Sequence, residues 1–400
     1  MQLVEQHIID RSHPYFAEID LAAFASKNLY NLANYTIRQE FITNGNWLRY
    51  DVLASILKTS DAYKALPAKV AQWVLKMLDK NWQSFFAATK EYKVNPGKFL
   101  GRPKLPQYKD KQDGRNLLVY TIQAISSKLL RIGQVKLSGL NVFIKTAKQN
   151  IDQVRIVPRK NHYVVEIVHT VEEEQKELDY TLVAGIDLGI DNLAAITSNK
   201  LGFTPLLVNG RGLKSINQFY NKRKAELQSI LGSDKATSHR IDRLTDKRNR
   251  RVDNFLHTAS RRIVDLLVKE QIGVLVIGRN PEWKQDVNLG KATNQKFVQI
   301  PHARFVNQLT YKCQLVGIKV IEREESYTSK TSFLDNEPIC KSESYIGKRV
   351  KRGLFRSGNG TLINADVNGS YNIIRKAFPA AFDVQGIEGV VVRPLPFGIN

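Results

Sequence analysis

The stretch LVAGIDLGIDNLAAITS, residues 182–198, decides the fold. It is apolar up to Asp187, so it reads as a buried strand that ends in a carboxylate. Gly189 permits a tight turn, and NLAAITS (192–198) reads as a second strand. Working outward, LLVN (206–209) reads as a third strand, and a long basic helical region follows. IGVLVIG (272–278) carries no charge and reads as another buried strand. Pro301 opens a helix whose Phe305, Leu309, Cys313 and Val316 share one face, with Gly317 as its stop. IKVIERE (318–324) is the next strand, and ADVNGSYNIIRKAF starts a helix with Asp366 at or just before its first turn. A hairpin followed by strands separated by helices predicts a mixed α/β sheet.

Upstream the pattern differs. Leu21, Phe24, Ala25, Asn28, Leu32 and Tyr35 recur at helical spacing, as do Val70, Trp73, Val74, Met77 and Leu78. Residues Asn44–Asp51, with Gly45 among them, separate two helices. Trp82, Phe85 and Phe86 extend the last apolar face, and core packing is favoured for them over base stacking. From 116 to 170 come short strands: LLVYTIQAI, LLRIGQVKL, LNVFIKT, VRIVPRK and HYVVEIVHT. Their close turns predict a small antiparallel sheet or barrel. VEEEQKELD (171–179) reads as an acidic connector.

Four hundred residues favour two or three domains, and 42% apolar with 24% charged residues is enough to bury a core. No window offers 18 uninterrupted apolar residues, so no membrane span is expected, and MQLVEQHIIDRSHP lacks the apolar core of a signal peptide. Charge is the informative quantity: 60 Lys and Arg against 38 Asp and Glu give +22. A polyanionic partner, nucleic acid first, explains such an excess. Residues 211–262 hold fourteen basic and five acidic side chains, 90–115 hold eight and three, and 341–356 hold six and one. Arg240, Arg243, Lys247, Arg250 and Arg251 fall at spacings that put several on one helical face, suited to tracking a phosphate backbone. Such contacts position a protein without reading bases.

In so basic a chain the acids at strand ends stand out. Asp187 ends a buried strand, where open α/β sheets bind their ligands. Asp366 starts a helix, where the positive end of the dipole favours a carboxylate. Glu324 and Glu325 end a further strand, before Ser326, Tyr327, Thr328 and Ser329. Three acids held at strand ends suit two Mg²⁺ ions, hard cations that prefer oxygen and can activate water against a phosphodiester.

GIDLGIDN (185–192), the basic helix, EESYTSK (324–330) and NADVNGSYNI (364–373) together resemble the TnpB family of transposon-encoded proteins, relatives of the type V CRISPR effectors. The resemblance covers the whole chain. It implies an RNase H-like α/β RuvC nuclease domain behind an N-terminal recognition lobe, a wedge β-barrel with an inserted helical bundle. The expected boundaries are 1–17 and 96–175 for the wedge, 18–95 for the helices, 181–330 and 364–378 for RuvC, 331–363 for a nucleic-acid-binding insert, and 379–400 for a tail. It further implies an RNA-guided DNA endonuclease whose partners are a guide RNA from the transposon end and double-stranded DNA beside a short adjacent motif. A monomeric ribonucleoprotein in a prokaryotic cytoplasm, with no membrane partner, is the implied setting. Arg102 and Lys104 of the Gly-Arg-Pro-Lys loop, and Lys348, Arg349, Lys351 and Arg352 of the insert, join the helical basic residues as expected nucleic-acid contacts.

Carried over by position, Asp187 matches the first RuvC acid and Asp366 the third. The second departs: relatives close the strand written here IGVLVIGRN with Glu, and this chain has Gly278, with Glu282 four residues later. Either the acid has moved to the neighbouring strand, at Glu325 first and Glu324 second, or cleavage is lost and the chain is an RNA-guided repressor. Asp187, Glu325 and Asp366 are therefore the expected Mg²⁺ ligands. The insert has Cys340 where relatives have two Cys-x-x-Cys pairs, so no structural zinc is expected. Packing of Phe333, Tyr345 and Phe355 is expected to hold it, with His302 at a surface or on a helix. Thr328 and Ser329 either position the neighbouring Glu or contact phosphate. Trp283 is a base-stacking or loop-anchoring candidate.

Overall fold

A computed structural model describes residues 1–232, 235–279 and 300–398. Glu282 and Trp283 lie outside the described residues. The chain divides into two compact units, Met1–Val171 and Glu172–Asn400.

The first unit begins with β1 (Gln2–Asp10), then the helices α1 (Phe16–Asn44), α2 (Tyr50–Leu57), α3 (Asp61–Lys64) and α4 (Ala68–Val94). Next come β2 (Leu118–Thr121), α5 (Ser127–Leu130), β3 (Gln134–Lys136), β4 (Phe143–Lys145), β5 (Gln153–Pro158) and β6 (His162–Thr170). β1 pairs antiparallel with β6 along its whole length, Gln2 opposite Thr170, so the helices enter between the first strand and the rest of the sheet. The barrel-like part consists of a four-stranded sheet, order β1-β6-β5-β2, and a β3–β4 ribbon, linked by a bridge between Ile125 and Leu137.

α1 ends where Gly45 takes a left-handed φ of 69°, a backbone state with little penalty for glycine. Its buried side is Ile19, Ala23, Tyr30, Ala33 and Ile37. This corrects the face read from Leu21 and Tyr35, which are 72% and 54% exposed. Both stripes are apolar, and packing against α4 chooses between them. Trp82 is wholly buried among Phe41, Phe85 and Phe86, and its Nε1 donates to Asn34 Oδ1 at 3.1 Å, so these aromatics are core. A second correction concerns LLRIGQVKL: Leu129 and Leu130 belong to α5, which Ser126 caps.

The second unit contains β7 (Asp179–Leu188), β8 (Asn192–Ser198), β9 (Leu206–Asn209), α6 (Arg211–Ser229), α7 (His239–Lys269) and β10 (Ile272–Gly278). There follow α8 (His302–Gln314), β11 (Lys319–Arg323), β12 (Lys348–Lys351), β13 (Leu354–Arg356), β14 (Leu362–Asn364), α9 (Ala365–Ala377), α10 (Val384–Glu388) and β15 (Leu395–Phe397). Six strands form one sheet in the order β11-β10-β7-β8-β9-β15. β7, β10 and β11 are parallel, while β8 runs antiparallel to both its neighbours. The segment 379–400, expected as a tail, supplies α10 and the strand β15 beside β9.

The central strands are buried on both faces, and their period of two sorts residues between two cores. Ala184, Ile186, Leu275 and Ile277 face α7 and α8, whereas Val183, Val274 and Val276 pack with Ile373 and Ile374 of α9. By parity Asp187 and position 278 also face α9, side by side, because Ile186 is in register with Ile277. α9 comes very close: a Cβ at Gly185 would lie 2.6 Å from the Ser370 carbonyl oxygen, and one at Gly369 2.7 Å from Asp187 Oδ2. Glycine is required where backbones meet so closely.

The insert between β11 and α9 is a three-stranded antiparallel sheet, order β12-β13-β14, over a small core of Phe333, Phe355, Ile363 and Tyr371. Phe333 and Tyr371 stack with centroids 4.6 Å apart. Tyr345, expected in this core, instead donates its hydroxyl to the Cys340 carbonyl at 3.2 Å, and Tyr371 of α9 takes that role. Among the described residues, no helix is long and apolar enough to cross a membrane.

Candidate active site

Three elements deliver acids to one end of the sheet. β7 carries Asp187 at its penultimate residue, the turn after β11 carries Glu325, and the first turn of α9 carries Asp366. Burial pushes the Asp187 carboxyl well above the ordinary carboxylate range, and the nearby charges of Glu325 and Asp366 push it further, partly relieved by Arg349. Burial likewise holds Glu325 at about 7, with Glu324 adding to the shift and Lys376 opposing it.

Glu324 and Glu325 are neighbours in sequence with opposite environments. Glu324 accepts from Lys376 Nζ at 2.6 Å and from the Ser326 amide at 2.7 Å, which lowers its carboxyl to about 2. Glu325 points back toward β10. A Cβ on Gly278 would lie 3.0 Å from Glu325 Oε2, so Glu325 occupies the space beside the position where relatives are expected to place the second acid.

The turn that aims Glu325 is built, not loose. Tyr327 adopts a left-handed φ of 67°, unusual for a residue with a Cβ. Thr328 donates to the Glu325 carbonyl from its amide at 3.2 Å and its hydroxyl at 2.8 Å, bracing the turn. Asn368 and Asn372, four residues apart on α9, hold the following loop: Asn368 Nδ2 donates to Thr331 O at 2.9 Å, and Asn372 Nδ2 to Thr328 O at 2.9 Å. Asn364 caps α9 by accepting from the Asp366 and Val367 amides, fixing where Asp366 starts. Asn192 Nδ2 donates to Asp366 Oδ2 at 2.7 Å.

Sequence reasoning passed over Asn192, Asn368, Asn372 and Lys376. Two asparagines at i, i+4 on one face of the helix were the available signal for two of them. His302 was also underestimated: it is 2% exposed, and its Nε2 donates to the Gly189 carbonyl at 2.9 Å, pinning the turn after Asp187.

The basic residues fall into separate groups. Arg240, Arg243, Lys247, Arg250 and Arg251 are all exposed on α7, within about 100° of one another at 100° per residue. Ile241, Val252, Leu256, Ala259 and Ile263 are buried on the opposite side, so the basic stripe faces solvent. Lys348, Arg349, Lys351 and Arg352 are exposed on β12 and the turn beyond it. Two of them reach the acids: Arg352 pairs with Asp191, which also pairs with Lys214 of α6, and Arg349 acts electrostatically on Asp187. Arg102 and Lys104 are exposed in the first unit.

The donor set is chemically suited to a hard divalent cation, being carboxylate oxygen throughout. Among the described residues no three His, Cys, Asp or Glu side chains make a finished metal cage. Mg²⁺ does not need one, because it is usually held by one or two carboxylates together with water and substrate phosphate. Cys340 is exposed and Cys313 is buried in α8.

Two family models match this chain. OrfB_IS605, a probable transposase, covers residues 162–284, and the TNB domain of Cas12f1-like proteins covers 302–373. The chain is 25% identical over 420 residues to the TnpB-like protein ORF457 of Acidianus two-tailed virus, spanning 94% of this chain and 85% of that one. It is 25% identical over 232 residues to the CRISPR-associated endodeoxyribonuclease Cas12f2 of Micrarchaeota archaeon, spanning 54% of this chain and 41% of that protein's length. A cryo-EM structure of a Cas12f1–sgRNA–target DNA complex superposes with a TM-score of 0.52 at 15% identity, covering 89% of this chain and 82% of that one, a likeness of fold. The mixed α/β fold of this chain is accordingly shared with the Cas12f1 of that complex. Residues 162–284 and 302–373 are thus similar to the OrfB_IS605 and Cas12f1-like TNB models, and the chain is similar over most of its length to a TnpB-like protein and over about half of it to a Cas12f2 protein.

Proposed function

We propose that this chain is an RNA-guided DNA endonuclease that hydrolyses phosphodiesters at Asp187, Glu325 and Asp366. The observation that carries the reading is the meeting of the three acids on the α9 side of the sheet, where Glu325 fills the space beside Gly278. The relatives' names supply the substrate class: a TnpB-like protein and an endodeoxyribonuclease.

In this reading Asp187, Glu325 and Asp366 hold two Mg²⁺ ions. Bound there, Mg²⁺ would lower the pKa of a water and neutralise charge on the scissile phosphate. The chain's own residues do the rest. Asn192 holds the Asp366 carboxylate in one orientation, and Thr328 and Lys376 fix the turn that aims Glu325. Attack by water in line with the leaving oxygen inverts phosphorus and leaves a 5′-phosphate and a 3′-hydroxyl. The α7 stripe and the β12 cations hold phosphate backbone, as their exposure and charge support. The guide is an RNA from the transposon end, one copy per protein. Base pairing reads the target and the protein reads a short adjacent motif.

The test is cleavage of a target plasmid library by protein co-expressed with its flanking transposon RNA, with Mg²⁺ and with EDTA. Mg²⁺-dependent cutting that is lost in Glu325→Gln and kept in Glu324→Gln is expected. Guided binding without cutting by the wild type would replace this reading with an RNA-guided repressor.

A further inference from the structure

The first unit contains a strap with an unusual mounting. Residues 105–111 have no regular secondary structure and run antiparallel to α1, which donates to one backbone carbonyl after another. Lys27 Nζ donates to Lys111 O at 2.7 Å, Asn31 Nδ2 to Lys109 O at 2.9 Å, Tyr30 OH to Gln107 O at 3.2 Å, and Asn34 Nδ2 to Pro106 O at 2.9 Å. Asn31 Oδ1 also accepts from the Lys109 amide at 2.9 Å, so that residue is clamped through both its amide and its carbonyl. The donors span roughly 11 Å of helix at about 1.5 Å per residue, against at most about 17 Å for five extended residues, so the strap follows the helix in a partly extended path that turns at Asp110, whose Oδ1 accepts from the Gln112 and Asp113 amides. Beyond it, Arg115 makes a two-point ion pair with Asp20 at 2.8 and 2.7 Å.

Hung by its backbone, the strap leaves most of its polar side chains exposed, although Leu105 packs on the core and the Lys109 ammonium lies 5.5 Å from the Tyr30 ring centre. Arg102, Lys104, Tyr108, Lys109 and Lys111 are all exposed. Tyr108 is 43% exposed, with the Arg38 guanidinium 4.6 Å from its ring centre. An aromatic ring backed by a guanidinium and flanked by cations, on a backbone that cannot relax, is a stacking platform beside a phosphate track.

We infer that this strap binds single-stranded nucleic acid, with an unpaired base stacked on Tyr108 and the adjoining phosphates on Lys104, Lys109 and Lys111. The inference rests on the proposed nucleic-acid function but not on cleavage. The exposed Tyr108 ring favours unpaired bases, because those of a duplex are already stacked.

The full-length protein is tested with oligouridine and oligodeoxythymidine carrying 5-bromouracil, beside a blunt duplex. Photocrosslinking to Tyr108 is expected with one or both single strands, and the two arms decide between RNA and DNA. Tyr108→Ala is expected to weaken single-strand binding about 5- to 100-fold, while Tyr108→Phe stays near wild type. Lys109→Ala with Lys111→Ala should lower the salt slope by about 0.7 for each phosphate no longer neutralised. A control with Arg243→Ala, Lys247→Ala and Arg250→Ala should keep the Tyr108 crosslink. Single-strand binding unchanged in Tyr108→Ala, or crosslinks confined to other peptides, overturns the strap. Absence of nucleic-acid binding by the wild type and every variant overturns the proposed function with it.

Discussion

A Cβ added to Gly278 would lie 3.0 Å from Oε2 of Glu325, so the end of β10 and the turn after β11 compete for one space. The same added Cβ would meet Cδ1 of Ile373 at 2.4 Å. A side chain at 278 and a carboxylate from 325 are alternatives. Glu325 thereby puts a carboxyl group beside Asp187, whose carboxyl its charge pushes up.

Gly278→Ala therefore forces Ile373 to move and crowds Glu325. A loss of about 1–3 kcal/mol of stability is expected from overpacking, measured by urea unfolding. The unchanged stability of this variant would mean that the space is slack and that Glu325 is not held there.

Asp187→Asn, Glu325→Gln and Asp366→Asn should each reduce cleavage by at least about 100-fold, the scale of losing several kcal/mol of transition-state charge stabilisation. Glu324→Gln should stay within about ten-fold. Its partner Lys376 keeps its hydrogen bonds to Ser326, and a half-exposed ion pair contributes roughly 1 kcal/mol or less. Single-turnover rates on a guided target separate the two classes.

The pH dependence has a definite sign. Glu325 sits at about 7 when folded against an ordinary 4.5, so the folded state holds its proton more tightly. Its contribution to stability is greatest below about 4.5 and declines as pH rises through 7. In EDTA, the wild type should lose Tm relative to Glu325→Gln between those values. Glu324, lowered to about 2, acts oppositely, and its stabilisation is lost only as pH falls from about 4.5 toward 2. Added Mg²⁺ should raise the wild-type Tm most near pH 8, where the acids are charged.

Asn192→Ala removes the hydrogen bond that orients Asp366. A roughly ten-fold loss of cleavage is expected with a stability change near 1 kcal/mol, about the net worth of one such bond. Asn192→Asp should be worse, because it sets a like charge where Asn192 now donates to the Asp366 carboxylate at 2.7 Å. A Mg²⁺ titration of the rate checks this, since a misoriented Asp366 raises the concentration needed.

Removing Arg243, Lys247 and Arg250 together should weaken duplex binding uniformly across sequences. The slope of log K against log salt should fall by about 0.9 for each phosphate these side chains had neutralised. A change in sequence preference would instead assign base reading to this helix face.

Much of the sheet was legible because its strands are uncharged runs that end in turns and its helices repeat at fixed spacing. LVAGIDLG, IGVLVIG and the stop at Gly317 each correspond to an element of the structure. Local periodicity gives such elements without knowledge of their neighbours. It does not give the side on which a helix packs: α1 carries two apolar stripes, and only α4 decides between them. Nor does it give the short helix α5, where the Ser126 cap outweighs two leucines that suit a strand.

The sequence by itself determined that this chain is basic, long enough for more than one domain and built around a strand ending at Asp187, since composition and periodicity are properties of the chain alone. Only the tertiary structure separated Glu325 from Glu324. Adjacent residues leave the backbone in opposite directions, so one lies beside Gly278 and Asp187 while the other pairs with Lys376. The roles of Asn192, His302 and the strap on α1 depend likewise on contacts between residues far apart in sequence, and no local pattern specifies those.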